Sequence, residues 1–263
     1  MNNKNVLVKT EKELDLMRES GRMTALALQK VIRQVKPGVT LAALDVIARE
    51  EIERLGGGSS FKSVPGYFWT TCLTVNDEVV HGIPRQIVLK EGDTIGIDLG
   101  AVYLAINGWH TDAAWSLIVP GGGIKEDLVK KRRFLKVGED TLWLAVSQAV
   151  AGKRIGDISS TIQRGVEKAG YSVVKSLAGH GVGRSGHEEP EIPTFGREGT
   201  GMVLEEGMTL AIEVIYTAGN GTVFEKEDGW TIATVDKEIG GLFEMSVIVG
   251  KNKPEIITDW RKV

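Results

Sequence analysis

Behind Thr10-Glu11-Lys12-Glu13, apolar side chains recur at helical spacing at Leu14, Met17, Met23, Leu26, Leu28 and Val31, and the pattern stops at Lys36-Pro37-Gly38. A threonine followed three residues later by a glutamate marks a helix start, because each side chain satisfies an amide that the first turn leaves open. The spacing predicts one helix over about 10–36 and a second over about 40–55, ended by Gly56-Gly57-Gly58. The pattern then changes. Residues 72–75, 94–104 and 109–119 form short runs punctuated by Gly82, Pro84, Gly92 and Asn107-Gly108, and they read as strands.

Beyond Pro120-Gly121-Gly122-Gly123 the order repeats. A long helix is predicted over about 125–151 and a shorter one over about 158–169, with Asp157 as its N-cap, and strands follow from 171 onward. Helix, helix and strands, twice over, predict an α+β fold of two similar halves, about 10–120 and 124–250, behind a short N-terminal arm over 1–9. The duplication rests on element order, without a sequence repeat. No low-complexity linker divides the halves, so one domain is expected over 1–263.

Composition narrows the class. With 42% hydrophobic and 25% charged residues, the chain is neither disordered, collagenous nor coiled-coil. Its 32 Lys and Arg against 35 Asp and Glu leave a net charge of −3, with no basic footprint for nucleic acid or a membrane surface. The single cysteine, Cys72, has no internal partner, which fits a reducing compartment. Met1-Asn2-Asn3-Lys4-Asn5 does not open a signal peptide, and the nearly apolar run over 142–151 is too short to span a bilayer. A soluble, cytoplasmic protein is expected.

The informative residues are acids inside strand-like apolar runs: Asp98 in Ile97-Asp98-Leu99, Glu213 in Ile212-Glu213-Val214 and Glu244 in Phe243-Glu244-Met245. Asp112, which opens Ala113-Ala114-Trp115, is a weaker fourth. One such acid can sit on the solvent face of an alternating strand. Several, with no lysine or arginine in the same runs, point to a shared cation, because an unpaired carboxylate is costly to bury. Of four histidines, His81, His180 and His187 lie in glycine-rich turns that leave an imidazole accessible, whereas His110 reads as a structural residue. There is no His-Glu-x-x-His pair, paired-cysteine pattern, phosphate loop or Gly-x-Ser-x-Gly elbow. Four carboxylates and an imidazole suit Mn(II), Fe(II), Co(II) or Zn(II), exceed the needs of one ion, and predict two-metal hydrolysis.

In that order the residues resemble the type I methionine aminopeptidases of the pita-bread fold, over about 10–250. The likeness is carried by Val75-Asn76-Asp77-Glu78-Val79-Val80-His81-Gly82-Ile83-Pro84, Gly179-His180-Gly181-Val182-Gly183-Arg184, His187-Glu188-Glu189-Pro190 and Asp228-Gly229-Trp230-Thr231. The resemblance implies two divalent ions on Asp98, Asp112, His180, Glu213 and Glu244, with Asp112 and Glu244 bridging. It implies that His81 and His187 contact the peptide, that Glu213 shares in proton transfer, and that Trp230 and Cys72 line a methionine pocket. It further implies removal of the initiator methionine from nascent chains ahead of a small second residue, a monomer, and a transient contact with the ribosome.

Several positions depart from the family's pattern. Val214 stands where it has proline, Leu242 where it has glutamine, Met245 where it has histidine, and Gly186 where it has a bulky residue. Phe61, Pro65 and Tyr67-Phe68-Trp69 also differ. These changes leave an altered side-chain preference open. Asp98 and Asp112 are further apart than usual. A two-residue turn at Asn107-Gly108 would pair Asp112 with Tyr103 and put the aspartates on opposite faces, so a longer loop or bulge around 103–107 is required. Two other readings remain at this stage. One is a peptidase of the aminopeptidase P or prolidase kind, whose large N-terminal domain the short arm does not supply. The other is a non-catalytic binding protein on the same fold.

Overall fold

The computed structural model describes residues 8–104, 108–121 and 125–263. Helix α1 (Glu11–Ile32) begins as its sequence prescribes, with the Glu13 carboxylate accepting from the Thr10 amide (2.9 Å) and hydroxyl (2.8 Å). Helix α2 (Leu41–Arg54) is capped by Thr40, whose hydroxyl accepts from the Ala43 amide at 3.1 Å. Strands β1 (Gly58–Ser59), β2 (Thr71–Val75), β3 (Glu78–Val80), β4 (Thr94–Tyr103) and β5 (Trp109–Ile118) complete the first set, with a short 3-10 turn at Phe61–Ser63.

The second set opens with α3 (Lys125–Val146) and α4 (Ile155–Lys168). Helix α3 stops five residues before the predicted end, 151, because the chain there is claimed by another partner. Val150 forms a parallel bridge with Gly250, and the Ala151 amide donates to the Gly250 carbonyl at 3.0 Å. Helix α4 starts earlier than predicted, and Asp157 is its third residue rather than its N-cap. From inside the first turn the Asp157 carboxylate reaches back to accept from the Arg154 amide at 2.8 Å, closing the same helix end. Strands β6 (Ser172–Val173), β7 (Ala178–Gly181), β8 (Glu188–Pro193), β9 (Thr209–Thr217), β10 (Val223–Glu225), β11 (Ile232–Thr234), β12 (Gly240–Ile248) and β13 (Glu255–Ile256) follow.

Among the described residues, ten strands form one antiparallel sheet in the order β1-β4-β5-β12-β9-β7-β8, with β2 added on β4, β13 on β12 and β6 on β9. A smaller sheet runs β10-β11-β3. The pairing of β5 with β12 joins the two helix-helix-strand sets into a continuous surface. Side chains alternate across a pleated strand. One face of the large sheet carries Ile95, Ile97, Leu99, Ala113, Trp115, Ile212, Val214, Tyr216, Phe243, Met245 and Val247, which are buried in a single core with Met23, Leu28, Leu44, Ile52, Phe134 and Ile162 of the helices. Helices therefore back that face, and the other is left for a site.

The β4–β5 hairpin settles the aspartate spacing. Its ladder runs to Tyr103↔Trp109, so five positions, 104–108, separate the paired ends, and a two-residue turn is absent. Asp112 pairs with Gly100, two residues from Asp98, and this even offset returns both aspartates to one face. Of the connection, 105–107, which hold most of the longer loop or bulge expected around 103–107, lie outside the described residues.

Candidate active site

A row of directly opposed residues crosses the large sheet: Cys72 on β2, Asp98 on β4, Ala114 on β5, Glu244 on β12 and Glu213 on β9. Opposed residues in antiparallel strands project to the same side. Asp112 stands two residues before Ala114, and His180 on β7 pairs with Ala211, two before Glu213. Parity alone therefore sends Asp98, Asp112, His180, Glu213 and Glu244 to the face opposite the helices. The same parity turns Val214 and Met245 into the helix-backed core, so these two departures from the family pattern do not reach the site. Leu242 lies on the site face but packs with Val79, Val80, Ala114, Val174 and Ile215.

The five polar side chains converge. Asp112, His180 and Glu244 are buried, and each offers a ligand atom within 4.8 Å of the others'. The His180 Nε2 lies 3.6 Å from Asp112 Oδ2 and 3.5 Å from Glu213 Oε1. Its Nδ1 donates to the Gly181 carbonyl at 2.9 Å, which fixes the ring with Nε2 facing the carboxylates. Ser246, next on the same face of β12, puts its hydroxyl 3.0 Å from Asp112 Oδ1 and accepts from the Asp112 amide at 3.1 Å. Oδ1 of Asp98 is buried without a hydrogen-bond partner.

These carboxylates are electrostatically uncomfortable by themselves. Desolvation, then repulsion from Asp112, pushes Asp98 and Glu244 well above the usual carboxylate range. Desolvation, then Asp98 and Asp112, does the same to Glu213. No lysine or arginine is among the described residues that line the cavity. An orphaned buried oxygen, an imidazole oriented by its backbone contact and clustered anions without a cationic side chain lining the cavity together fit divalent metal ions, whose charge would hold all four acids ionised.

Beside the cluster is a cavity of about 170 Å³. Tyr67, Cys72 and Trp230 form its wall, with the Tyr67 and Trp230 rings edge to face at 5.0 Å. The Tyr67 hydroxyl donates to the Thr71 carbonyl at 2.7 Å, so its oxygen is left to accept from the Cys72 thiol at 3.1 Å. Burial, then the nearby Asp98, pushes the Cys72 thiol pKa up and keeps it neutral. His81 and His187 stand at the open side of the cavity. Desolvation, then repulsion from its imidazole neighbour, lowers the pKa of each: His187 for His81, and His180, with ring centres 4.0 Å apart, for His187. His110 lies two residues before Asp112 on the same face of β5, holds Ser60 Oγ with its Nδ1 at 2.8 Å, and lines an adjoining cavity with Asp112 and His187.

All nine sequence-predicted site residues thus line the one cavity. Ser246 is an addition, and Tyr67, from the run that departs from the family pattern, lines the cavity with them. Ser246 was legible as a polar residue two positions from Glu244 on the same strand face.

Residues 15–249 match the model of metallopeptidase family M24. The methionine aminopeptidase of Clostridium perfringens is 40% identical over 253 residues, covering 96% of this chain and 98% of that protein. Methionine aminopeptidase 1 of Bacillus subtilis is also 40% identical, covering 96% and 99%. The crystal structure of the Thermotoga maritima methionine aminopeptidase superposes with a TM-score of 0.90 at 39% identity, over 95% of this chain and 98% of that one. Prolidase from Pyrococcus furiosus shares the fold at 20% identity and a TM-score of 0.75, but this chain spans only 65% of its length.

Proposed function

Since the chain belongs to metallopeptidase family M24 and has its pita-bread α+β fold, we propose that it removes the N-terminal methionine from newly made proteins and peptides. The observation that carries the reading is the row of acids on one sheet face, next to an aromatic-walled cavity of side-chain size. Asp98, Asp112, His180, Glu213 and Glu244 would hold two divalent ions, with Mn, Fe, Co and Zn as the candidate metals. Such a pair, when bound, polarises a carbonyl and acidifies a water.

The chain's own residues supply the rest. Tyr67, Cys72 and Trp230 receive the methionine side chain, whose thioether makes favourable contacts with aromatic edges. His81 and His187, kept neutral near pH 7, donate hydrogen bonds to the oxygen of the scissile carbonyl as negative charge develops on it. Glu213, within reach of His180, takes a proton from the attacking water and passes it to the leaving amine. The substrate is the free end of a nascent chain, its second residue small, met by a monomeric enzyme that touches the ribosome transiently.

Release of methionine from Met-Ala-Ser tests this. The protein is stripped with chelator and reloaded separately with Mn(II), Fe(II), Co(II) and Zn(II), beside Asp112→Asn and a Leu-Ala-Ser substrate. Metal-dependent cleavage of the methionyl peptide, lost in the variant, is expected. Preference for the leucyl peptide would keep the chemistry and overturn the substrate. Inactivity with every ion in folded protein would refute the peptidase.

A further inference from the structure

We infer that Glu78 is a positioning residue that fastens together the two loops carrying His81 and Trp230 into the cavity. The inference rests on reading that cavity as the peptidase site. Glu78 lies on β3, outside the metal cluster, and is buried. Its carboxylate accepts four hydrogen bonds from three donors: the Val75 amide (3.0 Å), Arg85 Nη2 (2.6 and 2.7 Å to its two oxygens) and Lys226 Nζ (2.7 Å). A buried acid with two cationic partners is a junction rather than a surface ion pair.

Each partner leads to one wall of the cavity. Arg85 closes the segment 78–85, with His81 at its tip. His81 has a φ of +58°, a left-handed conformation that a non-glycine residue holds only where its surroundings over-determine it. Gly82 then passes so near the neighbouring strand that a Cβ would lie 2.2 Å from the Leu73 carbonyl oxygen. Lys226 opens the other loop, which is fastened internally: its amide donates to the Thr231 carbonyl at 2.8 Å, and Asp228 accepts from the amides of Trp230 (3.0 Å) and Thr231 (2.8 Å). That loop therefore moves as a unit with Trp230, and it is tied to Glu78 through Lys226 and approached by Arg85 Nη1, 3.8 Å from Asp228 Oδ2. On top of the β3–β11 pairing, which sets Ile232 opposite Val80, this one carboxylate thereby fixes the separation between the residue at the scissile bond and the wall of the side-chain pocket.

Two variants test the assignment. Lys226→Met frees only the Trp230 loop, from a half-exposed position that tolerates an apolar side chain. Its KM for Met-Ala-Ser should rise about tenfold with kcat within about twofold of wild type, the pattern of lost ground-state binding. Its affinity for free L-methionine, read by calorimetry, should fall by the same factor, with Mn(II) affinity and Tm unchanged. Glu78→Gln releases both loops, and kcat should fall about tenfold as well, since small misplacements of an aligned group cost that much or more. Unchanged KM and methionine affinity in Lys226→Met overturn the inference, as does a parallel fall in Mn(II) affinity and Tm, which marks a purely structural pair. If wild-type protein binds methionine but cleaves nothing, the peptidase reading fails and methionine affinity alone decides the clamp. Absence of both cleavage and methionine binding in folded, metal-loaded wild type overturns both.

Discussion

At Asp98 the conflict between burial and charge is sharpest, because one buried oxygen has no partner and the residue sits opposite the buried Cys72. Asp98→Asn removes an anion from the cluster without changing its shape. It should raise the Tm of chelator-treated protein, since repulsion is relieved, and cut metal-dependent peptidase activity by more than about 100-fold, because a direct donor outweighs an outer partner worth roughly 10–100-fold. Calorimetric Mn(II) titration beside thermal melts checks both signs. Ser246 provides the contrast. Its hydroxyl orients Asp112 without entering the cluster, so Ser246→Ala should weaken Mn(II) binding about tenfold while leaving the protein folded.

Strands do the positioning, and their tolerance is narrow where backbone approaches backbone. Gly100 on β4 faces Asp112 across the ladder, and the amide of Ser60 donates to its carbonyl at 2.9 Å. A Cβ at Gly100 would lie 2.7 Å from the Thr111 carbonyl oxygen and 2.8 Å from the Ser60 Cβ. Gly100→Ala must therefore push the 60–64 segment, which lines the cavity through Phe61 and Val64, away from the sheet. A loss of about 1–3 kcal/mol in urea unfolding is expected, the usual cost of overpacking, together with a raised KM for methionyl peptides. A Gly100→Ala protein as stable as wild type would mean that this segment yields without strain.

Across the molecule, the charge cluster couples folding to pH and metal. Asp98, Glu213 and Glu244 have folded-state pKa values raised well above normal. In the unfolded chain they ionise near pH 4, so between there and the raised values the folded state holds more protons. Stability is then highest at low pH within that window and falls as pH rises, by about 1.4 kcal/mol per unit for each group fully within it. Metal-free protein should accordingly melt at lower temperature at about pH 8 than at about pH 5, while Mn(II)-loaded protein should not, because ions bind the ionised acids. Melts of both forms across that range give the comparison. Among the described residues no helix is long and apolar enough to cross a membrane.

Much was determined by sequence alone, and for a local reason. Helix starts at Thr10 and Thr40 and the alternation along β4, β5, β9 and β12 are short-range signals, and acids inside apolar runs stand out because burying them is costly. Element order and the conspicuous acids and histidines were therefore readable without coordinates. The end of α3 was not, because Val150 and Ala151 are held by Gly250, a hundred residues away. The start of α4 was misread because an aspartate can close a helix end from its first turn as well as from its cap. Only tertiary structure set the register that brings Asp98 to Asp112, turned Val214 and Met245 away from the site, and closed Glu78 on Lys226. Strand partners, unlike helix neighbours, are chosen across long stretches of chain, so which face meets which is decided only when the whole sheet assembles.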